Sequence, residues 1–390
     1  MRVTIPELSL VLLIDQEGSG KKNFAARHFR ASEVLSLDAV RDMIADGDPG
    51  EGATEAAWDA LLELAVRRMN QGLLTVIDAD LTVAARREPF LQAAAETHYI
   101  TSAIVFPASG EMPVEWEGFR HVHRFATAAE AESAEVQRLP LWSRREDEVG
   151  PFDIIGSVHG RYEELQDLLR RLGYRLTPHL EHASGRKLVF LGDLVDYGPR
   201  NLDVLQLVMD AVDAGTAFSV PGNHDARLVN RLRGVKTDTG GGMSPTLAEL
   251  AAASPEIRER TRSFLEASVS HYVFDGGNLV VAHAGLKEEM QGRGSAAVRE
   301  FALHGECPGE CERESGGGSP PDWALNYRGV ARVVYSHPTV PEPLLLNGTA
   351  NLDSGAARAG GRISALRYPE MEIVSSAPVA ERDPASLALK

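Results

Sequence analysis

Short apolar runs alternate with segments of helical periodicity in the first third of the chain. The run Leu8–Ile14 ends at a glycine-containing turn, beyond which residues 24–28 begin a helical pattern. Further helical patterns and apolar runs then follow in turn, at residues 53–68, 72–78, 84–95 and 99–106. Strands that alternate with helices predict a parallel sheet covered by helices on both faces.

The same alternation restarts after a charged, irregular stretch at residues 143–150. A strand is predicted at Phe152–Ile155 and a helix at Tyr162–Leu172. Later strands are predicted at residues 187–191, 217–220, 278–282, 333–335 and 363–368. Most of these strands end in a turn that contains a polar or glycine residue.

The two patterned regions predict two domains of the α/β class. A length of 390 residues agrees with this, since a single domain usually holds roughly 50–250 residues. The predicted boundaries are an N-terminal domain at 1–142, a linker at 143–150, a second domain at 151–378 and a loose tail at 379–390.

Composition and charge narrow the classes of function. The chain is 43% hydrophobic and 25% charged, as in soluble globular proteins, and its net charge of −16 argues against broad, nonspecific binding to nucleic acid. Its two cysteines, Cys307 and Cys311, are too few for a disulfide framework, and their surroundings favour a surface loop over a zinc site. The sequence shows no secretory signal or membrane span, so we predict a cytoplasmic protein.

Several strand-end turns in the second domain carry side chains that suit a divalent metal. Because each turn follows an apolar strand, we expect these side chains to gather at one edge of a sheet. Histidine, aspartate and asparagine together suit Mn²⁺, Fe²⁺ or Zn²⁺. The candidate ligands are His159, Asp193, Asn223, His283 and His337.

The turn after the first apolar run is an altered phosphate-binding loop. A working loop reads Gly-x-x-x-x-Gly-Lys-Ser/Thr, and alignment on Gly20 and Lys21 keeps Gly18 inside the loop. The first glycine is replaced by Asp15 and the hydroxyl residue by Lys22. Asp15 adds negative charge beside the phosphates, and a protonated lysine cannot ligate Mg²⁺. Both changes argue against ATP binding and kinase turnover.

The series of metal turns resembles the signature of calcineurin-type metallophosphoesterases. The resemblance implies a fold of the α/β sandwich type and a divalent cofactor, preferably Mn²⁺, with one or at most two ions. It also implies that His224 protonates the leaving group and that Asp225 orients His224. The implied ligands are His159 at one site, Asp193 as a bridge, and Asn223, His283 and His337 at the other.

Two positions depart from that signature. The first-site aspartate is Ser157, and a neutral hydroxyl is a much poorer ligand for a hard dication. The usual arginine of the Gly-Asp-x-x-Asp-Arg-Gly turn is Tyr197, which removes a bidentate phosphate clamp. The last turn is also rearranged, at Ser336–Thr339. A one-metal site remains, whereas a two-metal clamp does not.

A wider resemblance, over about residues 8–375, is to bacterial polynucleotide kinase-phosphatases of RNA repair. It implies a P-loop kinase-like first domain in which Asp38 would be the base, and a catalytic role for Asp353 in the second. The arginine-rich lid of that family is missing between Ser109 and Gly118. The chain resembles the ligase-less form, which implies RNA ends, a separate RNA ligase, an RNA methyltransferase and a second copy of itself as partners.

Three functions remain open at this point. The first is an active phosphoesterase on RNA 2′,3′-cyclic phosphate or another phosphodiester, with the kinase inactive. The second is a catalytically inactive binding or scaffold subunit of an RNA-repair complex, motivated by the changes at Asp15, Lys22, Ser157 and Tyr197. The third is a dinucleoside tetraphosphatase, which shares the metal turns but leaves the first domain unexplained.

Overall fold

A computed structural model describes residues 1–15, 20–45, 51–107, 118–177, 179–237, 240, 242–306 and 320–380. The chain divides into two compact units, Met1–Leu141 with Arg293–Ala297, and Trp142–Gly292 with Val298–Lys390. No helix among the described residues has the length and apolar character that a membrane crossing requires. Features of the sequence that lie outside the described residues are Gly18, Cys307, Cys311, most of the lid segment 109–118 and residues 381–390.

The first unit is built on a parallel sheet. Its strands are β1 (Arg2–Pro6), β2 (Ser9–Ile14), β3 (Val34–Ser36), β4 (Thr75–Asp78), β5 (Ile100–Val105), β6 (His121–Arg124) and β7 (Glu135–Leu139). Its helices are α1 (Lys21–His28), α2 (Leu37–Ala45), α3 (Glu51–Asn70), α4 (Ala84–Glu96) and α5 (Ala128–Glu132), with a 3₁₀ turn at Ala31–Glu33. The main sheet has the order β3-β4-β2-β5-β6, and β1 pairs separately with β7.

Both faces of this sheet are covered, which explains why its central strand is a continuous apolar run. Every residue of β2 is buried. Leu12 packs on one face with Leu61 of α3 and Phe90 of α4, whereas Leu13 packs on the other face with Phe24 of α1. Alternate strand residues point to opposite faces, so a strand between two helix layers must be apolar throughout. The predicted parallel sheet is confirmed.

The second unit contains two sheets and several helices. Its strands are β8 (Arg144–Arg145), β9 (Phe152–Ile155), β10 (Tyr174–Arg175), β11 (Glu181–His182), β12 (Lys187–Phe190), β13 (Ala217–Ser219), β14 (His271–Phe274), β15 (Leu279–Ala282), β16 (Arg332–Tyr335), β17 (Leu344–Leu346), β18 (Thr349–Asn351), β19 (Ser364–Tyr368) and β20 (Glu372–Ser375). The helices beyond residue 141 are α6 (Tyr162–Leu172), α7 (Asn201–Asp213), α8 (Asn223–Leu232), α9 (Met243–Ala252), α10 (Pro255–Ala267), α11 (Ala296–His304) and α12 (Asp322–Asn326), with 3₁₀ turns at Asp275–Gly277 and Glu288–Met290.

The two large sheets of this unit pack face to face. One has the order β13-β12-β9-β19-β20 and the other β17-β18-β16-β15-β14-β8. Phe152 and Val189 of the first sheet meet Phe274 and Val281 of the second in one apolar cluster. Helices α6 and α7 cover the outer face of the first sheet, and α11 and α12 cover that of the second. The result is the predicted α/β sandwich.

Two predictions at the ends of this unit are corrected. The expected linker at 143–150 contains β8, where Arg144 and Arg145 pair with Val273 and Phe274 of β14. Backbone hydrogen bonds therefore fix this segment to a sheet of the second unit. The expected tail begins too early, because Val379 is buried and its amide donates to the carbonyl oxygen of Gly361 at 2.7 Å.

Candidate metal centre

The predicted ligands lie at strand ends of both sheets in the second unit. Strands β9, β12 and β13 belong to the first sheet, and β15 and β16 to the second. The polar turns that follow them meet where the sheets pack together. In strand order the ligands are His159 after β9, Asp193 after β12, Asn223 after β13, His283 after β15 and His337 after β16.

Two glycines allow the turns after β12 and β13 to touch backbone to backbone. Gly192 has a φ of +83°, and a Cβ there would collide with the amide nitrogen of Gly222. A Cβ on Gly222 would collide with Oδ1 of Asp193. Asp193 itself adopts a left-handed φ of 48°. This close approach brings the Asp193 carboxylate to the first turn of α8, at a cost in backbone strain.

Asp193 lies at the centre of the cluster. Its Oδ2 is 3.6 Å from Nε2 of His159 and 3.5 Å from Nε2 of His283, and its Oδ1 accepts a hydrogen bond from the amide of His224 at 3.0 Å. Burial raises the pKa of Asp193, but the surrounding imidazoles, His283 foremost, hold that pKa well below its usual range. The carboxylate is therefore anionic at neutral pH.

The two imidazoles beside Asp193 are in the form that binds metals. Nδ1 of His159 lies 3.1 Å from the carbonyl oxygen of Val195, and Nδ1 of His283 lies 2.8 Å from that of Leu191. A carbonyl only accepts, so Nδ1 carries a proton in both rings, and Nε2 is the nitrogen that can bind a metal. Burial lowers the pKa of His159 to about 4, which keeps the ring neutral.

Further donors complete a set that fits a divalent cation. Oδ1 of Asn223 lies 3.0 Å from Nε2 of His283, and the ring centroids of His283 and His337 are 5.3 Å apart. An alternative grouping of His159, Asp193 and His224 has donor atoms within 4.8 Å of one another. One carboxylate, one amide oxygen and several imidazole nitrogens suit a borderline metal such as Mn²⁺, Fe²⁺ or Zn²⁺.

Asp196, and not Asp225, orients the ring of His224. Oδ2 of Asp196 lies 2.7 Å from Nδ1 of His224 and accepts a second bond from Arg227 at 2.8 Å, while Thr246 donates to Oδ1 at 2.7 Å. Burial lowers the pKa of His224, but Asp193 and Asp196 raise it above its ordinary value. In the sequence, Asp196 is the second aspartate of the turn that also carries Asp193.

The carboxylate of Asp225 has a structural role instead. Its Oδ2 accepts from the amide of Gly222 at 2.9 Å and its Oδ1 from the amide of Leu194 at 3.1 Å. These bonds join the turn after β12 to the start of α8. Burial and the nearby charge of Asp193 raise the pKa of Asp225 to about 7. The role predicted for Asp225 is thus corrected, since its oxygens face backbone amides.

The two altered positions have well-defined surroundings. Ser157 is buried and hydrogen-bonded to Ser336. The ring of Tyr197 lies 5.2 Å from that of His159 and 5.3 Å from that of His224, measured between centroids. An aromatic side chain therefore stands over the two imidazoles where the resemblance had implied a guanidinium.

Asp353 follows β18 at the same edge. Its Oδ2 accepts from the hydroxyl of Thr339 at 2.8 Å and its Oδ1 from the amide of Gly355 at 3.1 Å. Burial raises the pKa of Asp353 to about 6, and the charge of Asp193 adds to this shift. The latter effect places Asp353 within electrostatic reach of the cluster.

Lys21, the lysine of the altered phosphate loop, is held by ion pairs within the first unit. Nζ of Lys21 lies 2.8 Å from Oδ1 of Asp15, 3.1 Å from Oδ1 of Asp78 and 2.7 Å from the carbonyl oxygen of Ala79. An ammonium group has three N–H donors, and these three acceptors use them.

Lys22, the residue after Lys21, and the predicted base Asp38 form an ion pair with each other. Nζ of Lys22 lies 2.7 Å from Oδ2 of Asp38, and Arg41 donates to Oδ1 of Asp38 at 2.9 Å. Next to Lys21, Gly20 has a φ of 87° and stands directly before α1. The predicted base and the predicted loop lysine are thus both engaged in ion pairs within the first unit.

Comparison with known proteins assigns the second unit. Residues 150–337 match the calcineurin-like phosphoesterase family, and residues 10–140 match the AAA domain family. The chain is 40% identical over 231 residues to the asymmetrical bis(5′-nucleosyl)-tetraphosphatase PrpE of Anoxybacillus flavithermus, a match that covers 57% of this chain and 93% of the relative. The chain belongs to the calcineurin-like phosphoesterase family.

A second relative of this calcineurin-like phosphoesterase agrees with that placement. The PrpE protein of Bacillus cereus strain Q1 is 39% identical over 232 residues, which covers 57% of this chain and 93% of the relative. Among solved structures, a serine/threonine phosphatase from Saccharomyces cerevisiae is similar, with 15% identity, a TM-score of 0.41, and coverage of 61% of this chain and 82% of that one.

Proposed function

We propose that this chain is a metal-dependent hydrolase that cleaves bis(5′-nucleosyl) tetraphosphates asymmetrically. The observation that carries the proposal is the position of Asp193, whose Oδ2 lies 3.6 Å from Nε2 of His159 and 3.5 Å from Nε2 of His283. The PrpE relatives, at about 40% identity, are named for this substrate class. Asymmetrical cleavage yields a nucleoside triphosphate and a nucleoside monophosphate.

The proposed hydrolysis gives a chemical role to several polar side chains of the centre. Asp193, Asn223 and His283 would hold a divalent cation, which would supply Lewis acidity toward a phosphoryl oxygen, and we propose Mn²⁺ as the preferred ion. His224 holds a proton that it gives to the leaving phosphate oxygen. Asp196 accepts from Nδ1 of His224, which fixes the ring and favours its protonated form.

The test is hydrolysis of diadenosine tetraphosphate by the full chain in the presence of Mn²⁺, with products separated by anion-exchange chromatography. Equal amounts of ATP and AMP are expected, whereas two molecules of ADP would contradict the asymmetrical assignment. Asn223→Ala should abolish turnover, and His224→Ala should lower it strongly. Asp203→Asn, which alters an exposed ion pair with Arg200 on α7, should leave turnover unchanged.

A second candidate function is favoured by the first unit, which matches the AAA domain family. An AAA-type unit joined to a phosphoesterase is the arrangement that suggested RNA end repair, with RNA 2′,3′-cyclic phosphate as substrate. Comparing kcat/KM for this substrate with that for diadenosine tetraphosphate separates the two candidates. If the folded chain hydrolyses neither substrate, the remaining candidate is a catalytically inactive binding or scaffold subunit of an RNA-repair complex.

A further inference from the structure

A cavity of about 430 Å³ lies in the second unit, beside the start of β16. It is lined by the loop after α12, at residues 327–330, by the turn between β17 and β18, and by Arg332, the first residue of β16. A strand rises by about 3.3 Å per residue, so the Cα atoms of Arg332 and Tyr335 are about 10 Å apart. His337 of the metal centre follows the far end of this strand. The residues that line the cavity are all different from those of the metal centre.

Hydrogen bonds inside the fold hold the walls of this cavity. The hydroxyl of Tyr327 donates to the carbonyl oxygen of Ala331 at 2.8 Å, and Nδ2 of Asn347 donates to that of Leu325 at 2.7 Å. A Cβ on Gly329 would lie 2.4 Å from the hydroxyl oxygen of Tyr327, so the loop needs glycine there. The shape of the cavity is therefore set by the fold itself.

Two exposed arginines line the cavity, and neither forms an ion pair with a described carboxylate. Nη1 of Arg328 donates to the carbonyl oxygens of Leu325 at 3.2 Å and Tyr327 at 2.6 Å, which fixes this guanidinium. Nη1 of Arg332 lies 3.8 Å from the place that a Cβ on Gly348 would take, so this guanidinium lies against the turn. Within the described part of the chain, the side chain of Arg332 has no hydrogen-bond partner.

Many other arginines of this unit are paired with carboxylates. Arg186, Arg200 and Arg260, for example, form ion pairs with aspartates. Arg328 and Arg332 instead bring two positive charges to one cavity in a chain whose net charge is −16. Their planar groups of N–H donors match the oxygens of a phosphate group.

A neighbouring cavity of about 330 Å³ shares Tyr327 and Arg328 with the first one but has the opposite charge. It is lined by one lysine, Lys287, and by four acidic residues, Glu288, Glu289, Glu306 and Asp322. These carboxylates repel an anion, whereas Arg332 attracts one. An anionic group is therefore expected at the Arg332 end of the first cavity.

We propose that the first cavity binds a phosphate ester, whose phosphate group is held by the guanidinium groups of Arg328 and Arg332. Its volume falls within the range of small-molecule sites, roughly 300–1,000 Å³, so an organic substituent has space beside the exposed side chain of Val330. A phosphate monoester is favoured over a carboxylate, because its second negative charge matches the second guanidinium. This inference does not depend on the proposed hydrolysis.

Binding to the metal-free chain tests the inference. Phenyl phosphate and benzoate are each titrated into the full chain by isothermal calorimetry, with EDTA present so that the metal centre holds no ion. Saturable binding of phenyl phosphate is expected, and benzoate should bind at least about 10-fold more weakly. No saturable binding of phenyl phosphate, or equal binding of benzoate, would overturn the proposal.

Variants locate the bound phosphate. Arg328→Gln and Arg332→Gln should each weaken phenyl phosphate binding by about 10- to 100-fold. Arg175→Gln is the matched control, since it removes a positive charge from an exposed ion pair with Glu181 and should change binding by less than about 3-fold. Unchanged affinity in both cavity variants would place the ligand elsewhere and refute the site. Thermal unfolding of each variant controls for loss of the fold.

Chemical modification gives a second measurement on the unaltered chain. Phenylglyoxal reacts with accessible guanidinium groups, and mass spectrometry locates the modified arginines. At ten times its dissociation constant, phenyl phosphate should slow the modification of Arg332 by about 10-fold and leave that of Arg175 unchanged. Equal rates at Arg332 with and without phenyl phosphate would contradict its role as a ligand-binding residue.

Discussion

Nδ1 of His224 lies 2.7 Å from Oδ2 of Asp196, and both side chains are buried. This contact determines which ring nitrogen can transfer a proton to the leaving group, because the proton on Nδ1 is hydrogen-bonded to the carboxylate. Nε2 is left to transfer a proton to the leaving group. Arg227 binds the same oxygen at 2.8 Å, so the carboxylate is shared between two cations when His224 is protonated.

The need for this proton depends on the leaving group. His224→Ala should lower kcat for diadenosine tetraphosphate by about 100- to 10,000-fold, the usual contribution of a general acid. For bis-p-nitrophenyl phosphate the loss should be much smaller, since p-nitrophenolate departs without a proton. Asp196→Asn should show the same dependence to a lesser degree. Equal losses on both substrates would contradict proton donation by His224.

We expect Lys21 to stabilise the first unit through its buried ion pairs with Asp15 and Asp78. Lys21→Met should lower the free energy of unfolding of this unit by about 3–5 kcal/mol, because it leaves Asp15 and Asp78 buried without a counter-charge. The matched control is Lys22→Met, whose exposed pair with Asp38 should contribute less than about 1 kcal/mol. Urea unfolding, read by hydrogen exchange of the β2 and β4 amides, measures both.

A companion variant isolates the cause of that loss. Asp15→Asn combined with Lys21→Met removes one of the two uncompensated charges, so it should recover part of the lost stability. In the unaltered chain, ATP with Mg²⁺ should produce no heat of binding, since the N–H groups of Lys21 already have acceptors. Stoichiometric ATP binding would refute the structural role of Lys21.

The buried His271 of β14 makes the stability of the second unit sensitive to acid. The amide of Gly292 donates to its Nε2 at 2.9 Å, and burial lowers its pKa to about 4. Between pH 6.5 and 4 the unfolded chain binds more protons at this residue than the folded chain. Stability should therefore fall as the pH falls through this window, by roughly 1.4 kcal/mol per pH unit.

His271→Gln removes the titrating group while keeping an acceptor for Gly292. The difference in unfolding free energy between the two proteins should be flat above pH 6.5 and should shift steadily in favour of His271→Gln below it. Guanidinium unfolding at a series of pH values provides the comparison. A difference that does not change with pH would show that His271 accepts a proton without cost in the folded chain.

Tyr197 should set the preference between diesters and monoesters. A phosphomonoester carries an extra negative charge, and an arginine near His159 and His224 would bind it more strongly. Tyr197→Arg should raise the ratio of kcat/KM for p-nitrophenyl phosphate to that for bis-p-nitrophenyl phosphate by about 10-fold. Tyr197→Phe is the matched control and should leave the ratio unchanged.

Hydrophobic periodicity predicted the bounds of the first long helix of the second unit. The helix predicted at Tyr162–Leu172 has these bounds in the structure, because Leu165, Leu168, Leu169 and Leu172 recur at helical spacing and are all buried. The linker prediction was wrong for a related reason. A two-residue strand such as β8 is too short to show any period, so only its pairing with β14 reveals it.

The partner of His224 could not be read from sequence order. Asp225 is adjacent to His224 in the chain, but it occupies the first turn of α8, where its carboxylate reaches back to the amide of Gly222. Capping of this kind competes for an acidic side chain near a helix start. Asp196 comes close to His224 only because the turns after β12 and β13 pack together, which is a property of the tertiary structure.

The hydrogen bond from Nδ1 of His283 to the carbonyl oxygen of Leu191 spans the two sheets of the sandwich. His283 follows β15 of one sheet, and Leu191 follows β12 of the other. The orientation of this ligand therefore requires that the two sheets are packed together. We expect a folding intermediate in which only one sheet has formed to bind Mn²⁺ weakly. The time at which Mn²⁺ binding appears during refolding would therefore report when the two sheets pack together.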